Sequence, residues 1–265
     1  MNADRREPHV VRITLLLGGG ETTRSALELL TQLSWNRSIE AMGIFIEDSN
    51  LLRLAQMPFS RELCRVTHVE APLEKADIER QLRIQARSAK LAFENAAAQA
   101  GISHSFLTRR GGVDSLLQQA AQEMDLMILG PARRLRQLSE PVSLTAIANQ
   151  SRQPVVVLYD GSDSAERALM TAKQLAEAGN RQLTVLIASE ERQGAVERQH
   201  QAAQKLGRTS ARYRFIAATD IETLLETGRD ERAGTLVLGV SDTLLQTRFL
   251  QELSHRLEFP ALLVR

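Results

Sequence analysis

Val155-Val-Val-Leu-Tyr159, running straight into Asp160-Gly-Ser-Asp-Ser-Ala-Glu-Arg-Ala-Leu169, is the stretch that decides the fold. Five apolar residues, three of them β-branched, make a buried strand; Asp-Gly-Ser makes a tight turn and a helix cap; the Ala- and Leu-bearing run after it makes a helix. The same reading holds for Val11-Arg-Ile-Thr-Leu-Leu-Leu17 and the following Gly18-Gly-Gly-Glu-Thr-Thr-Arg-Ser-Ala-Leu27. The pairs Ala26-Leu27 and Ala168-Leu169 align at an offset of 142 residues. Working outward, second strands are expected at Ile39 to Ile46 and Gln182 to Ala188, and third strands at Ser103 to Thr108 and Ala211 to Ala217. Helical spacing of apolar residues marks Leu73 to Ala100, Ala195 to Leu206, Val113 to Gln122 and Asp220 to Arg229. Met124-Asp-Leu-Met-Ile-Leu-Gly130 matches Ala233-Gly-Thr-Leu-Val-Leu-Gly239 at an offset of 109, so the first half carries 142 − 109 = 33 extra residues, mainly around Asp48 to Ala71.

Each half then ends in a helix and a Pro-led apolar run, Pro154 to Tyr159 and Pro260 to Arg265. Alternating strands and helices with continuously apolar strands imply an α/β fold, a parallel sheet covered on both faces. Two such units lie in tandem, residues 10–153 and 154–265. The run Pro154 to Tyr159 matches both the last strand of one half and the first strand of the other, so ten expected strands become nine. Because Asp160-Gly-Ser leads directly into a helix, the run is assigned to the second half, which leaves the first half without a fifth strand. Met124 to Leu129 is then an apolar sheet edge, hazardous unless covered. Either the C-terminal run Pro260 to Arg265 or a second copy of the chain, as a homodimer, is expected to cover it.

Composition excludes several classes. The chain has 265 residues, 43% hydrophobic and 25% charged, with a formal charge of +1, so it carries no basic surplus for nucleic acid. Only four of its 33 basic residues are Lys; the other 29 are Arg, the better anion fork. Cys64 is the single cysteine, so neither an intrachain disulfide nor a multi-Cys metal site can form. No apolar run approaches the roughly 20 residues of a membrane span, and no signal-peptide pattern follows the polar start, so no membrane insertion and a cytoplasmic location are expected.

In order and spacing the motifs resemble those of a tandem universal stress protein. Val155-Val-Val-Leu-Tyr-Asp160-Gly161-Ser162 resembles that family's opening strand and turn. Asp125-Leu-Met-Ile-Leu-Gly130 and Thr235-Leu-Val-Leu-Gly239 resemble its fourth strand, and Gln153-Pro-Val-Val-Val and Phe259-Pro-Ala-Leu-Leu-Val its last. The resemblance implies two Rossmann-like, adenine nucleotide alpha hydrolase-like units. Members that bind ATP carry Gly, two residues, Gly, nine residues, Gly and Ser or Thr after the fourth strand. Here Gly130 is followed at those positions by Arg133, Ser143 and Leu144, and Gly239 by Asp242, Glu252 and Leu253. The adenine-side Asp of the opening turn is present as Asp160, but Gly18 stands at its first-half counterpart. The resemblance therefore places the chain with members that do not bind ATP: no cofactor is expected, and at most a small anionic ligand in the first half.

The candidate ligand rim comprises Gly18, Gly19, Gly20, Gly130 and Arg133 in the first half, and Asp160, Gly161, Ser162 and Gly239 in the second. Open α/β sheets bind ligands at the carboxyl ends of their strands, where glycines admit close backbone approach. Arg134 and Arg136 could join the first rim; the alternative is a tight turn and a solvated helix start. A pyrophosphatase loop would need Asp or Ser in register, and Glu21, Thr22 and Thr23 supply neither. Glu47-Asp48 reads as a polar strand exit or helix cap rather than an acid–base pair, since adjacent strand residues point apart. Cys64 and His68 lack a third ligand, and His9, His104, His200 and His255 are scattered without a Ser, His, Asp set. In the extra stretch, Leu51, Leu52, Leu54, Ala55 and Met57 form a short amphipathic helix between Asp48-Ser49-Asn50 and Pro58. It is open to reading as a lid, a partner-docking surface or a cover for its own core. The function expected is non-catalytic: regulation in stress response through binding a protein partner or a second copy. A nucleotide- or anion-responsive sensor is the alternative, and a small-molecule enzyme of the related hydrolase group the third.

Overall fold

The computed structural model describes residues 10–18, 20–33, 38–57, 60–63, 70–131, 152–217, 219–241 and 248–265. The first half contains β1 (Val11–Leu17), α1 (Gly20–Leu33), β2 (Ile39–Asp48), α2 (Ser49–Leu54), β3 (Arg61–Leu63), β4 (Glu70–Pro72), α3 (Lys75–Gln99), β5 (Ser103–Gly111), α4 (Val113–Gln122) and β6 (Leu126–Leu129). The second contains β7 (Val155–Tyr159), α5 (Asp163–Ala178), β8 (Leu183–Ala188), α6 (Arg192–Leu206), β9 (Ala211–Ile216), α7 (Ile221–Asp230), β10 (Thr235–Gly239), α8 (Phe249–Arg256) and β11 (Ala261–Val264).

Nine strands form one sheet in the order β5-β2-β1-β6-β11-β10-β7-β8-β9. Every neighbouring pair is parallel except β11 with β6, which run antiparallel with Ala261 opposite Leu129 and Val264 opposite Leu126. The run Val155–Tyr159 belongs to the second half, between β10 and β8. The open edge of β6 is covered by the C-terminal strand of the same chain, so the edge argument for a second copy no longer applies. Ala261, Leu262 and Leu263 are fully buried there, and burying each leucine is worth about 1.5–3 kcal/mol.

The strand total needs correction. A two-stranded antiparallel hairpin, β3 with β4, stands apart from the main sheet inside the 33-residue surplus, so the described strands number eleven rather than nine. Its three-residue strands include charged Arg61, Glu62 and Glu70, too short and polar for an apolar run to announce them. In the same stretch α2 forms as expected, capped by Asp48, whose carboxylate accepts the Asn50 N–H at 2.8 Å.

Because successive strand residues point to opposite faces, the sheet carries two cores. On one face Ile13, Leu15, Ile128, Leu262, Val237 and Val157 pack with α1, α3, α5 and α6; on the other Met127, Leu129, Leu263, Leu236, Leu238 and Val156 pack with α4, α7 and α8. Both cores run without a break across the β6–β11 seam. The exposed pattern of β5 and the wholly buried pattern of β8 follow from their places at the edge and inside the sheet.

Candidate functional site

The antiparallel seam decides where ligands can be held. Strands β1, β2, β5 and β6 point one way and β7 to β11 the other, so the carboxyl ends of the two sets open on opposite edges of the sheet. The described candidate residues therefore fall on two separate edges, Gly18, Gly20 and Gly130 on one and Asp160, Gly161, Ser162 and Gly239 on the other.

On the second-half rim, the turn after β7 is held by its own side chains. Asp160 Oδ1 accepts the Ser162 N–H at 2.9 Å, and Ser162 Oγ caps α5 by accepting the Ala165 N–H at 3.2 Å. Gly161 sits at φ +87°, where a side chain would be strained. Across from it Arg198 of α6 donates to the Ala188 carbonyl at the end of β8, with its Nε 3.7 Å from where a Gly161 Cβ would lie. Asp160, Glu190, Glu191, Arg198 and Thr219 line an open cleft of about 430 Å³. Three carboxylates face it against one guanidinium that is already engaged, which is poor electrostatics for a polyphosphate.

Gly239 does not open on this cleft. A Cβ there would fall 2.4 Å from the Ser164 carbonyl carbon and oxygen and 2.6 Å from the Ala165 nitrogen. The glycine thus lets the end of β10 pass against the backbone of the first turn of α5; that contact occupies the space a Cβ would otherwise fill. Glu252 lies in the first turn of α8, and Leu253, at the position of the family's Ser or Thr, is fully buried.

On the first-half rim, Gly18 and buried Gly130 end the neighbouring strands β1 and β6. The Gly18 carbonyl accepts the Thr23 hydroxyl at 2.8 Å, and Gly20 begins α1. Glu47 and Asp48 diverge as expected: Asp48 caps α2, while Glu47 Oε2 receives Arg110 Nε and a terminal nitrogen, each at 2.9 Å. Arg110 also faces Glu79 at 3.7 Å. Gly19, Cys64, His68, Arg133, Arg134, Arg136, Ser143, Leu144 and Asp242 lie outside the described residues. On α2, Leu52 is buried while Leu51 and Leu54, and Met57 just past its end, are exposed, so this segment both covers its core and presents an apolar face.

Burial, then the negative Glu166, pushes the Tyr159 phenol up, and the hydrogen bond to Glu166 raises Lys205; both stay protonated at neutral pH. Among the described residues no group of three His, Cys, Asp or Glu side chains could hold a metal ion, and no helix is long and apolar enough to cross a membrane. Reading the sequence missed Arg198 and Arg110. Each sits at an ordinary helical or strand position; Arg110 acquires its role only when the end of β2 is brought beside it, and Arg198 when α6 folds back on the end of β8.

No family profile matches the chain, and no curated protein matches it. Solved structures do. The fold is similar to that of a universal stress protein from Archaeoglobus fulgidus DSM 4304, with a TM-score of 0.53 and 14% identity over 96% of this chain and 98% of that one. A universal stress protein in complex with cAMP matches 43% of this chain and 96% of its own at 27% identity and a TM-score of 0.36. The cytoplasmic domain of a prokaryotic cation chloride cotransporter matches 96% of this chain and 94% of its own at 9% identity and a TM-score of 0.47. The likeness to the first of these establishes the chain's Rossmann-like α/β fold as that of the universal stress proteins.

Proposed function

We propose that this chain is a tandem universal-stress-type protein of the cytoplasm that acts in stress response through binding, without ATP and without turnover. The observation that carries the reading is Gly239: the glycine expected to admit a phosphate is used to seat β10 against the backbone of α5. The cleft beside it agrees, since Asp160, Glu190 and Glu191 would repel a triphosphate and Arg198 is bound to the Ala188 carbonyl. On the first rim Arg110, near the end of β5, is shared between Glu47 and Glu79. Each uncompensated carboxylate near a phosphate costs on the order of 1–4 kcal/mol at surface-like dielectric, so a few of them remove several decades of affinity.

Calorimetric titration of the full chain with Mg-ATP tests the proposal. No binding at micromolar concentrations is the expected result. A dissociation constant in the micromolar range or tighter overturns it and favours a nucleotide-responsive sensor; release of phosphate by the purified chain alone would favour the enzyme reading.

A further inference from the structure

The long helix α3 turns one stripe, from Ile78 and Leu82 to Phe93 and Ala97, into the core. Its opposite ridge is not an ordinary solvated surface. Ile84 and Leu91, two turns apart, stand on it at 56% and 53% exposure, with Arg80, Arg83 and Arg87 exposed around them. In the second half α6 holds the same place in the topology, between the second and third strands of its sheet. Its outward ridge carries Gln193, Glu197, His200 and Gln204, with Val196 to one side. The fold therefore does not itself require two large aliphatics ringed by arginines at this place. We propose that the outward ridge of α3 is a docking surface for an acidic amphipathic helix of a partner protein.

Charge fixes the sign of the partner. Every acid on α3 is already engaged: Asp77 holds Arg80 at 2.8 Å, and Glu94 faces Lys90 at 3.8 Å. Glu79 stands between Lys75 at 3.9 Å and Arg110 at 3.7 Å. Arg83 and Arg87, one turn apart on either side of Ile84, make no hydrogen bond or ion pair among the described residues. Like charges at this spacing repel each other, and carboxylates brought by a partner relieve that repulsion while forming forked contacts. Aliphatics spaced by seven residues and edged by cations fit a helix whose apolar stripe is edged by Asp and Glu. A lipid surface fits less well, because a helix lying in a membrane buries a whole apolar face, and the wide one of α3 is already in the core. This inference rests on the binding role proposed above and names its partner class.

The test uses the full chain and a fluorescein-labelled synthetic peptide of three heptads, with Leu at each a, Ala at each d and Glu at each e and g. Fluorescence anisotropy is expected to show saturable binding with a dissociation constant on the order of 100 μM, since a single pair of helices makes a small interface. Arg83→Glu with Arg87→Glu, and separately Ile84→Ser with Leu91→Ser, should each weaken it about tenfold or more. His200→Ala on α6 should leave it unchanged, and the same peptide with Lys for Glu should not bind. All four α3 residues are exposed, so both double variants should melt with the wild type; if the serine pair does not fold, the arginine pair decides. No saturable binding, equal affinity in a folded double variant, or sedimentation with phosphatidylserine vesicles that the arginine pair abolishes each overturns the proposal. Binding of Mg-ATP would overturn the ATP-free reading and leave this result standing, so the two failures are distinct.

Discussion

Gly239→Ala separates a packing glycine from a phosphate-admitting one. The added methyl would stand 2.4 Å from the Ser164 carbonyl and 2.6 Å from the Ala165 nitrogen, against roughly 3.5–4.0 Å for ordinary carbon contacts. The neighbours are backbone, so they cannot rotate away; about 1 Å of movement of the helix start is required. That movement disturbs the Ser162 cap and the buried residues Ala165, Ala168, Leu169 and Ala172 that α5 presses on the sheet. Overpacking of this kind costs typically 1–3 kcal/mol, and with backbone on both sides about 3 kcal/mol is expected. For a chain of this size each kcal/mol lowers Tm by about 2–4 °C, so Gly239→Ala should melt about 6–12 °C below the wild type. Urea unfolding followed by circular dichroism measures the free energy, and calorimetry the Tm. Gly112→Ala is the control: its nearest contact is Ser115 Oγ at 3.9 Å and its φ is −71°. Cap loss and reduced freedom of the unfolded chain should cancel there within about 0.5 kcal/mol. A Gly239→Ala variant as stable as the wild type would refute the close-packing argument and return Gly239 to the ligand rim.

Thr184 is 1% exposed and its hydroxyl has no hydrogen-bond partner among the described residues; Thr184→Val should raise stability by about 1 kcal/mol in the same urea assay, since a buried hydroxyl is removed at constant shape. Asp220 caps α7, and hydrogen bonds from the Thr223 N–H and then its hydroxyl lower its carboxyl from 3.8. Its contribution is present above the unfolded value and lost as pH falls through the lower folded one. Asp220→Ala should therefore melt below the wild type at neutral pH, with the gap closing in acid; a gap unchanged down to about pH 2 would contradict the capping role. Deleting Pro260 to Arg265 uncovers β6 and should convert the chain to associated or insoluble species by light scattering, whereas a well-behaved monomer would show that the edge needs no cover.

Much of this molecule is written locally. Val155 to Leu169 specifies a strand, a turn and a capped helix within fifteen positions, because β-branched runs, a Ser cap and helical spacing act over a few residues. Asp48 and Asp220 were readable as caps or helix starts for the same reason. Even the missing strand was legible, since one apolar run cannot serve two sheets, and an uncovered edge such as Met124 to Leu129 demands a partner. The sequence offered two covers, β11 or a second copy of the chain; which of them takes the place, and that it runs antiparallel, was not legible. A short apolar strand such as Ala-Leu-Leu-Val can pair in either direction, and only the packing of both cores across the seam selects one. From that choice it follows that the carboxyl ends of the two sets of strands open on opposite edges of the sheet. The role of Gly239 belongs with it: a glycine after a strand reads alike whether its missing methyl makes room for a phosphate or for a neighbouring helix, and which of the two lies 2.4 Å away is settled by tertiary contact alone.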